Sequence, residues 1–250
     1  MSENMLQADP NLSLDPKRLE ELKAFRDGFS RLRLVYQFGI DEVMTKINIL
    51  KTEFEHSHKY SPIEHVSSRL KSPESIIEKM QRRGGPLSLT AIREKIQDIA
   101  GVRIVCSFIS DVYQIADMLS AQPDIEVIEV KDYIKDPKPN GYKSLHLIVK
   151  VPVFLSTGVE DAYIEIQFRT IGMDFWASLE HKIYYKFDQA IPTEVLAELG
   201  EAADIANRLD LKMERIHDEV QELHPTSNTE DAHEIELPST LALNEFLSRD

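Results

Sequence analysis

Asp132-Tyr133-Ile134-Lys135-Asp136-Pro137-Lys138-Pro139-Asn140-Gly141-Tyr142-Lys143-Ser144-Leu145-His146 is a basic turn carrying aromatic residues that opens directly into a strand. Pro137 and Pro139 fix φ and stiffen the approach, while Asn140-Gly141 tolerates positive φ and reverses the chain. From Tyr142 to Val151 the residues alternate. Leu145, Leu147 and Val149 take one face of the expected strand, and Tyr142, Ser144 and His146 the other. The second face is a candidate site wall, because an aromatic ring stacks on a nucleobase while Lys138 and Lys143 neutralise phosphate charge. An ordinary edge hairpin with a solvated lysine turn carries the same pattern.

A second strand is expected in Tyr163-Ile164-Glu165-Ile166-Gln167-Phe168-Arg169, with Ile164, Ile166 and Phe168 toward a core and Glu165 and Gln167 projecting together on the opposite face. A carboxylate on a rigid strand beside a phosphate-binding surface suits an oxygen ligand for Mg²⁺. Asp98 to Cys106 supplies a third strand, rich in β-branched residues, with an acid at its mouth and Arg103 inside. Asp98 and Arg103 are an odd number of residues apart, so an uninterrupted strand would point them to opposite faces. Either a bulge at Gly101 or a position for Asp98 ahead of the pleat brings them together.

The segment from Arg69 to Met80 reads as a helix start with a basic entry, Ser72 as N-cap and Pro73 at the first helical position. Ser75, Lys79 and Arg82 share one face, and Ile76, Ile77 and Met80 make the buried stripe. Arg69, Lys71 and the free N–H groups of the helix start form a possible triphosphate receiver.

In this order, these segments resemble the synthetase domain of the bacterial stringent-response enzymes, and the chain is identified as similar to the small alarmone synthetases. A fifth matching segment is Asp174-Phe175-Trp176-Ala177-Ser178-Leu179-Glu180-His181-Lys182. The resemblance runs from about residue 60 to 187. It implies an α+β nucleotidyltransferase-like synthetase fold, a mixed sheet wrapped by helices. It also implies transfer of the β,γ-diphosphate of ATP to the 3′-hydroxyl of GDP or GTP, giving guanosine tetra- or pentaphosphate and AMP.

By that resemblance Asp98 and Glu165 hold Mg²⁺ on the ATP phosphates, and Glu165 takes the proton of the attacking hydroxyl, a role suited to a carboxylate within hydrogen-bond reach. Arg69 and Arg103 flank the adenine, while Lys71, Ser75 and Lys79 meet the phosphates. Tyr142 stacks on guanine, with Lys138, His146 and Gln167 around the acceptor. Glu129-Val130-Lys131-Asp132 mixes the acidic and basic patterns that accompany GDP or GTP preference, so both acceptors stay open. Adenine nucleotides, a single-stranded RNA 3′ end, or a non-catalytic sensor role are the alternatives. Long family members place a hydrolase ahead of the synthetase, and the first sixty residues are too few for one, so synthesis without hydrolysis is expected.

The chain has 250 residues, 42% of them hydrophobic, enough for one sizeable core. Its formal charge of −14 is uneven. Residues 69–103 hold eight Lys/Arg against four Asp/Glu, whereas residues 191–250 hold fifteen acids against four bases. A locally positive cleft can receive a nucleotide while the acidic end repels extended nucleic acid. The single cysteine, Cys106, excludes an internal disulfide and suits a reducing cytoplasm. No leader or membrane-spanning apolar run is read.

The expected organisation is a disordered start over residues 1–16, one synthetase domain with helical extensions over 17–223, and an acidic tail over 224–250. The Pro-free stretch from Lys17 to Phe54 predicts one or two helices, with Leu22, Phe25, Phe29, Leu32, Tyr36, Ile40, Val43 and Ile47 on one apolar face. Further helices are expected from Met173 to Phe187 and from Pro192 to Leu223, the latter offering Leu196, Leu199, Ala203, Ile205, Leu209 and Ile216 for packing. Such flanking helices build a ring-like homotetramer in relatives, which implies a homo-oligomer here.

Overall fold

Residues 15–57, 60–186 and 192–223 are described by a computed structural model. The expected acidic tail and most of the expected disordered start lie outside them. In chain order the elements are α1 (Pro16–Ser57), β1 (Ile63–Leu70), α2 (Pro73–Arg82), α3 (Leu89–Lys95), β2 (Ala100–Cys106), α4 (Ile109–Ser120), β3 (Glu126–Asp132), β4 (Leu145–Leu155), β5 (Gly158–Thr170), α5 (Ile171–Lys186) and α6 (Thr193–Leu223). The architecture is α+β, with five strands in the order β1-β2-β5-β4-β3. β2 and β5 run parallel and the other neighbours antiparallel.

Register divides the sheet into two chemically different faces. Val102 and Ile104 of β2, Ile164, Ile166 and Phe168 of β5, and Leu145, Leu147 and Val149 of β4 join one buried apolar cluster. Each such side chain contributes roughly 1.5–3 kcal/mol by leaving water. On the opposite face Arg69 sits beside Gly101 and Gly101 beside Glu165, while Arg103 pairs with Gln167 and Gln167 with His146. Cross-strand partners share a face, so this register gathers the charged residues of four strands on one surface.

α1 is a single 42-residue helix beginning one residue earlier than expected, at Pro16, where proline's missing N–H costs nothing. Its face of Phe29, Leu32, Tyr36, Ile40, Val43 and Ile47 is buried on its own sheet, although Leu22 at the same spacing is half exposed. A Cβ on Gly39 would lie 2.6 Å from the Ala162 Cβ, so glycine lets α1 approach β5 closely.

Three expectations require correction. Arg69 is not part of a helix entry: it is the last residue but one of β1, an edge strand whose residues 64–69 are mostly exposed and lack an alternating apolar signal. β4 starts at Leu145 rather than Tyr142, because the reversal at Gly141 (φ +85°) leaves Tyr142 to Ser144 as an irregular approach. On α6 only Ala203 is buried, whereas Ile205, Leu209 and Ile216 are 53%, 56% and 40% exposed. Helical periodicity identifies an apolar stripe without saying what covers it.

Candidate active site

Two clusters on the polar face form the site. The first begins where β1 gives way to α2. Ser72 is the N-cap in extended conformation and accepts from the Ser75 backbone N–H at 3.2 Å, with Pro73 at the first helical position. Ser75 lies in the first turn, its hydroxyl 3.1 Å from that of Ser72. One helical turn further, Lys79 points toward the turn that precedes β2. Lys79 Nζ lies 2.6 Å and Lys71 Nζ 2.7 Å from the same oxygen, Asp98 Oδ2. A backbone bond from Lys71 N–H to the Ile99 carbonyl, 2.8 Å, holds the two segments together.

Asp98 precedes the pleat, and the β2–β5 register is unbroken from Ala100 to Cys106, so no bulge at Gly101 is needed. Burial works to raise its pKa, but the bonds from Lys71 and Lys79 outweigh it and keep the carboxyl below its usual range. Desolvation lowers the Lys71 pKa against the pull of Asp98. Asp98 Oδ1 is buried and has no hydrogen-bond partner. Arg69 is exposed at the end of β1 and lies along the same face as Glu165.

The second cluster closes into a ring. Arg169 Nη2 donates to the Tyr142 hydroxyl at 2.8 Å and to Gln167 Oε1 at 3.1 Å. The Tyr142 oxygen is 2.8 Å from His146 Nε2, and His146 Nδ1 is 3.4 Å from Glu165 Oε1. Gln167 Nε2 donates to Glu165 Oε2 at 2.8 Å and completes the circuit. Burial pushes the Glu165 pKa up, and the nearby Asp98 charge adds to that. The interactions with His146 and Gln167 outweigh both and hold it below the usual carboxylate range.

The aromatic part of this cluster is compact. Tyr133 meets His146 and Tyr142 edge-on, with centroids 5.2 and 6.1 Å apart. Lys138 Nζ sits 4.6 Å from the Tyr133 centroid and 4.7 Å from that of Tyr142, in cation–π range. The turn bearing Tyr142 is anchored from outside by Asn140 to Glu180 of α5, 3.0 Å, and by Lys143 to Asn207 of α6, 2.6 Å.

Arg103 is drawn to a residue that the sequence reading did not single out as a site member. Its Nη1 lies 3.2 Å from Asp174 Oδ1 at the start of α5, and Arg169 Nη1 lies 2.9 Å from the same oxygen. Arg169, Asp174 and Tyr133 are therefore members of the site missed from sequence. Arg169 follows Glu165 and Gln167 at the same two-residue step, and Asp174 opens the fifth matching segment, so both carried a signal.

The structure thus brings Lys71, Lys79 and Asp98 together, and separately Tyr142, Lys138, His146, Glu165 and Gln167. The two carboxylates are hard oxygen donors of the kind Mg²⁺ takes, although the described residues include no group of three or more acidic, histidine or cysteine ligands placed to hold a metal without substrate. Asp98 offers an oxygen without a donor, and Glu165 is held in the ionised form, so the donor set fits Mg²⁺.

Comparison with known proteins identifies the family. Residues 68–190 match the model described as the region found in RelA / SpoT proteins. GTP pyrophosphokinase YwaC of Bacillus subtilis is 48% identical over 84% of this chain and 100% of its own length, and YjbM of the same organism 39% identical over 78% and 90%. The solved small alarmone synthetase 2 of Bacillus subtilis superposes with a TM-score of 0.70 at 50% identity, covering 76% of this chain and 98% of its own. Small alarmone synthetase 1 of Bacillus subtilis, bound to its product pppGpp, gives 0.72 at 38% identity, covering 78% and 98%. The chain belongs to the RelA/SpoT family, among its small alarmone synthetases.

Proposed function

We propose that this protein is a GTP pyrophosphokinase that transfers the β,γ-diphosphate of ATP to the 3′-hydroxyl of GDP or GTP, releasing AMP and forming ppGpp or pppGpp. The observation that carries this reading is the placement of a lysine–aspartate cradle and a stacking tyrosine on one sheet face, with Glu165 on the strand that joins them. The product-bound relative supports it.

Arg69 and Arg103 offer planar guanidinium groups to the adenine, while Lys71, Lys79 and the Ser75 turn receive the phosphates. On ATP binding the two ammonium groups on Asp98 Oδ2 exchange one anionic partner for another, which frees the carboxylate. Asp98 and Glu165 would hold Mg²⁺, whose charge would neutralise the transferring phosphates. Tyr142 stacks on guanine and Lys138, His146 and Gln167 line the acceptor. Glu165 removes the 3′-hydroxyl proton as that oxygen bonds to the β-phosphorus, and the bond between the β-phosphorus and the oxygen bridging to the α-phosphate breaks to release AMP.

Free nucleotide substrates and the single cysteine agree with a cytoplasmic setting, and among the described residues no helix is long and apolar enough to cross a membrane. Leu209, Met213, Ile216, Val220 and Leu223 recur at steps of four and three and are each at least 40% exposed, which supports assembly into a homo-oligomer, with a tetramer as the reading carried from sequence. Incubation with γ-labelled ATP and either GDP or GTP tests the assignment. Labelled ppGpp or pppGpp with stoichiometric AMP is expected, and label entering only an adenine nucleotide or RNA contradicts it.

A further inference from the structure

We propose that Arg169 is a positioning residue that sets the direction of every hydrogen bond reaching Glu165, acting through Tyr142, His146 and Gln167. The inference deepens the reading of Glu165 as the base and rests on it, but its primary test reads bond direction rather than turnover.

A guanidinium group has donors and no acceptor, and an ionised carboxylate has acceptors and no donor. These two groups sit at opposite poles of the ring, so both routes between them run one way. Along the first, Arg169 donates to the Tyr142 oxygen; with that oxygen already accepting, the proposed polarity has the Tyr142 hydroxyl donating to His146 Nε2, 2.8 Å away, which puts the ring proton on Nδ1, 3.4 Å from Glu165 Oε1. A neutral imidazole of the other tautomer would turn the Nδ1 lone pair on the carboxylate. Along the second, Gln167 Oε1 accepts from Arg169 and its Nε2 donates to Glu165 Oε2. Reversing that amide would set NH₂ against guanidinium and oxygen against carboxylate at once.

Arg169 is suited to the task because it cannot turn away. It is 6% exposed, and its Nη1 is held by Asp174. Asp174 also forms an ion pair with Arg103, so one carboxylate holds both a residue proposed for the ATP side and the pole of the acceptor-side ring. The arrangement gives each Glu165 oxygen one N–H donor and leaves lone pairs for the substrate hydroxyl. Without Arg169, reversal of the imidazole and of the amide is opposed by Glu165 alone, and either reversal points a lone pair at Glu165.

Ring-¹⁵N histidine NMR on the full nucleotide-free chain, at a pH where the imidazole is neutral, reads this directly, with His146 assigned by the signal lost in His146→Gln. The wild type is expected to carry the proton on Nδ1, and Arg169→Met to shift it toward Nε2. In parallel, kcat should fall by roughly 10- to 100-fold, with the KM for ATP changed by less than about threefold, and Arg169→Lys should recover part of the loss. Should Arg169→Met fail to fold, Tyr142→Phe removes the same link while keeping the stacking ring, and predicts the same tautomer shift with a kcat loss and little change in acceptor KM. An Nδ1 proton unmoved in the folded variants, or an Nε2 proton in the wild type, overturns the proposal. If His146 responds as expected while no guanosine product forms, the positioning role stands and the proposed function falls.

Discussion

Lys79 Nζ lies 2.6 Å from Asp98 Oδ2, tying the second turn of α2 to the turn that enters β2. Lys71 reaches the same oxygen, so the cradle is already charge-balanced before a nucleotide arrives. A charge-assisted bond of this type is worth about 1.5–3 kcal/mol. Lys79→Ala should therefore raise the KM for ATP by about 10-fold or more while leaving the KM for GDP nearly unchanged. Steady-state kinetics with each nucleotide varied in turn decides this, and equal effects on both would place Lys79 elsewhere.

Glu165→Gln preserves shape and removes the base. The expected loss in kcat is on the order of 10²- to 10⁴-fold, with nucleotide affinities changed only a few-fold. Calorimetric titration of the variant with GDP separates the two effects. A large loss of affinity with unaltered kcat would make Glu165 a binding residue only.

Tyr142→Ala removes a stacking surface worth about 1–3 kcal/mol, and should raise the acceptor KM by roughly 5- to 150-fold without a matching change for ATP. Gly141→Ala acts on the same turn through the backbone. Gly141 has φ +85°, and a Cβ there would lie 2.5 Å from the Ala203 Cβ of α6. The substitution should cost more than about 1 kcal/mol and weaken acceptor binding, because α6 and the turn can no longer close on each other. Thermal melting read beside the acceptor KM checks both halves, and an unchanged melting temperature would contradict the packing.

Much of this was written in the chain, and what was not has physical reasons. Alternation in β4 and β5 placed their core faces correctly, and the odd spacing of Asp98 and Arg103 rightly announced an irregularity, which is the turn before β2. β1 and β3 left no such mark: as edge strands largely exposed to water, neither needs a hydrophobic alternation. The roles of Arg169 and Asp174 depend on where α5 begins relative to the end of β5 and on which guanidinium is buried, and single-residue patterns do not encode that. The α6 stripe was legible as apolar but not as uncovered.

Away from the site, Glu160 of β5 accepts from Arg93 of α3 at 2.7 Å and from Arg31 of α1 at 2.8 Å. The bond from Arg93, then that from Arg31, holds its carboxyl below the usual range. A group depressed in the folded state stabilises the fold above its unfolded pKa, about 4.3, and that contribution disappears as pH falls through the folded value. Urea unfolding measured across that window should show wild-type stability falling more steeply than that of Glu160→Gln. Parallel curves would mean that the pair of arginines contributes nothing.

A crystal structure with a non-hydrolysable ATP analogue, Mg²⁺ and GDP would read the convergence of the two nucleotides directly. One magnesium shared by the Asp98 and Glu165 carboxylates, guanine stacked on Tyr142, and the 3′-hydroxyl within hydrogen-bond reach of Glu165 are expected. A metal bound without either carboxylate, or guanine seated away from Tyr142, would contradict the account.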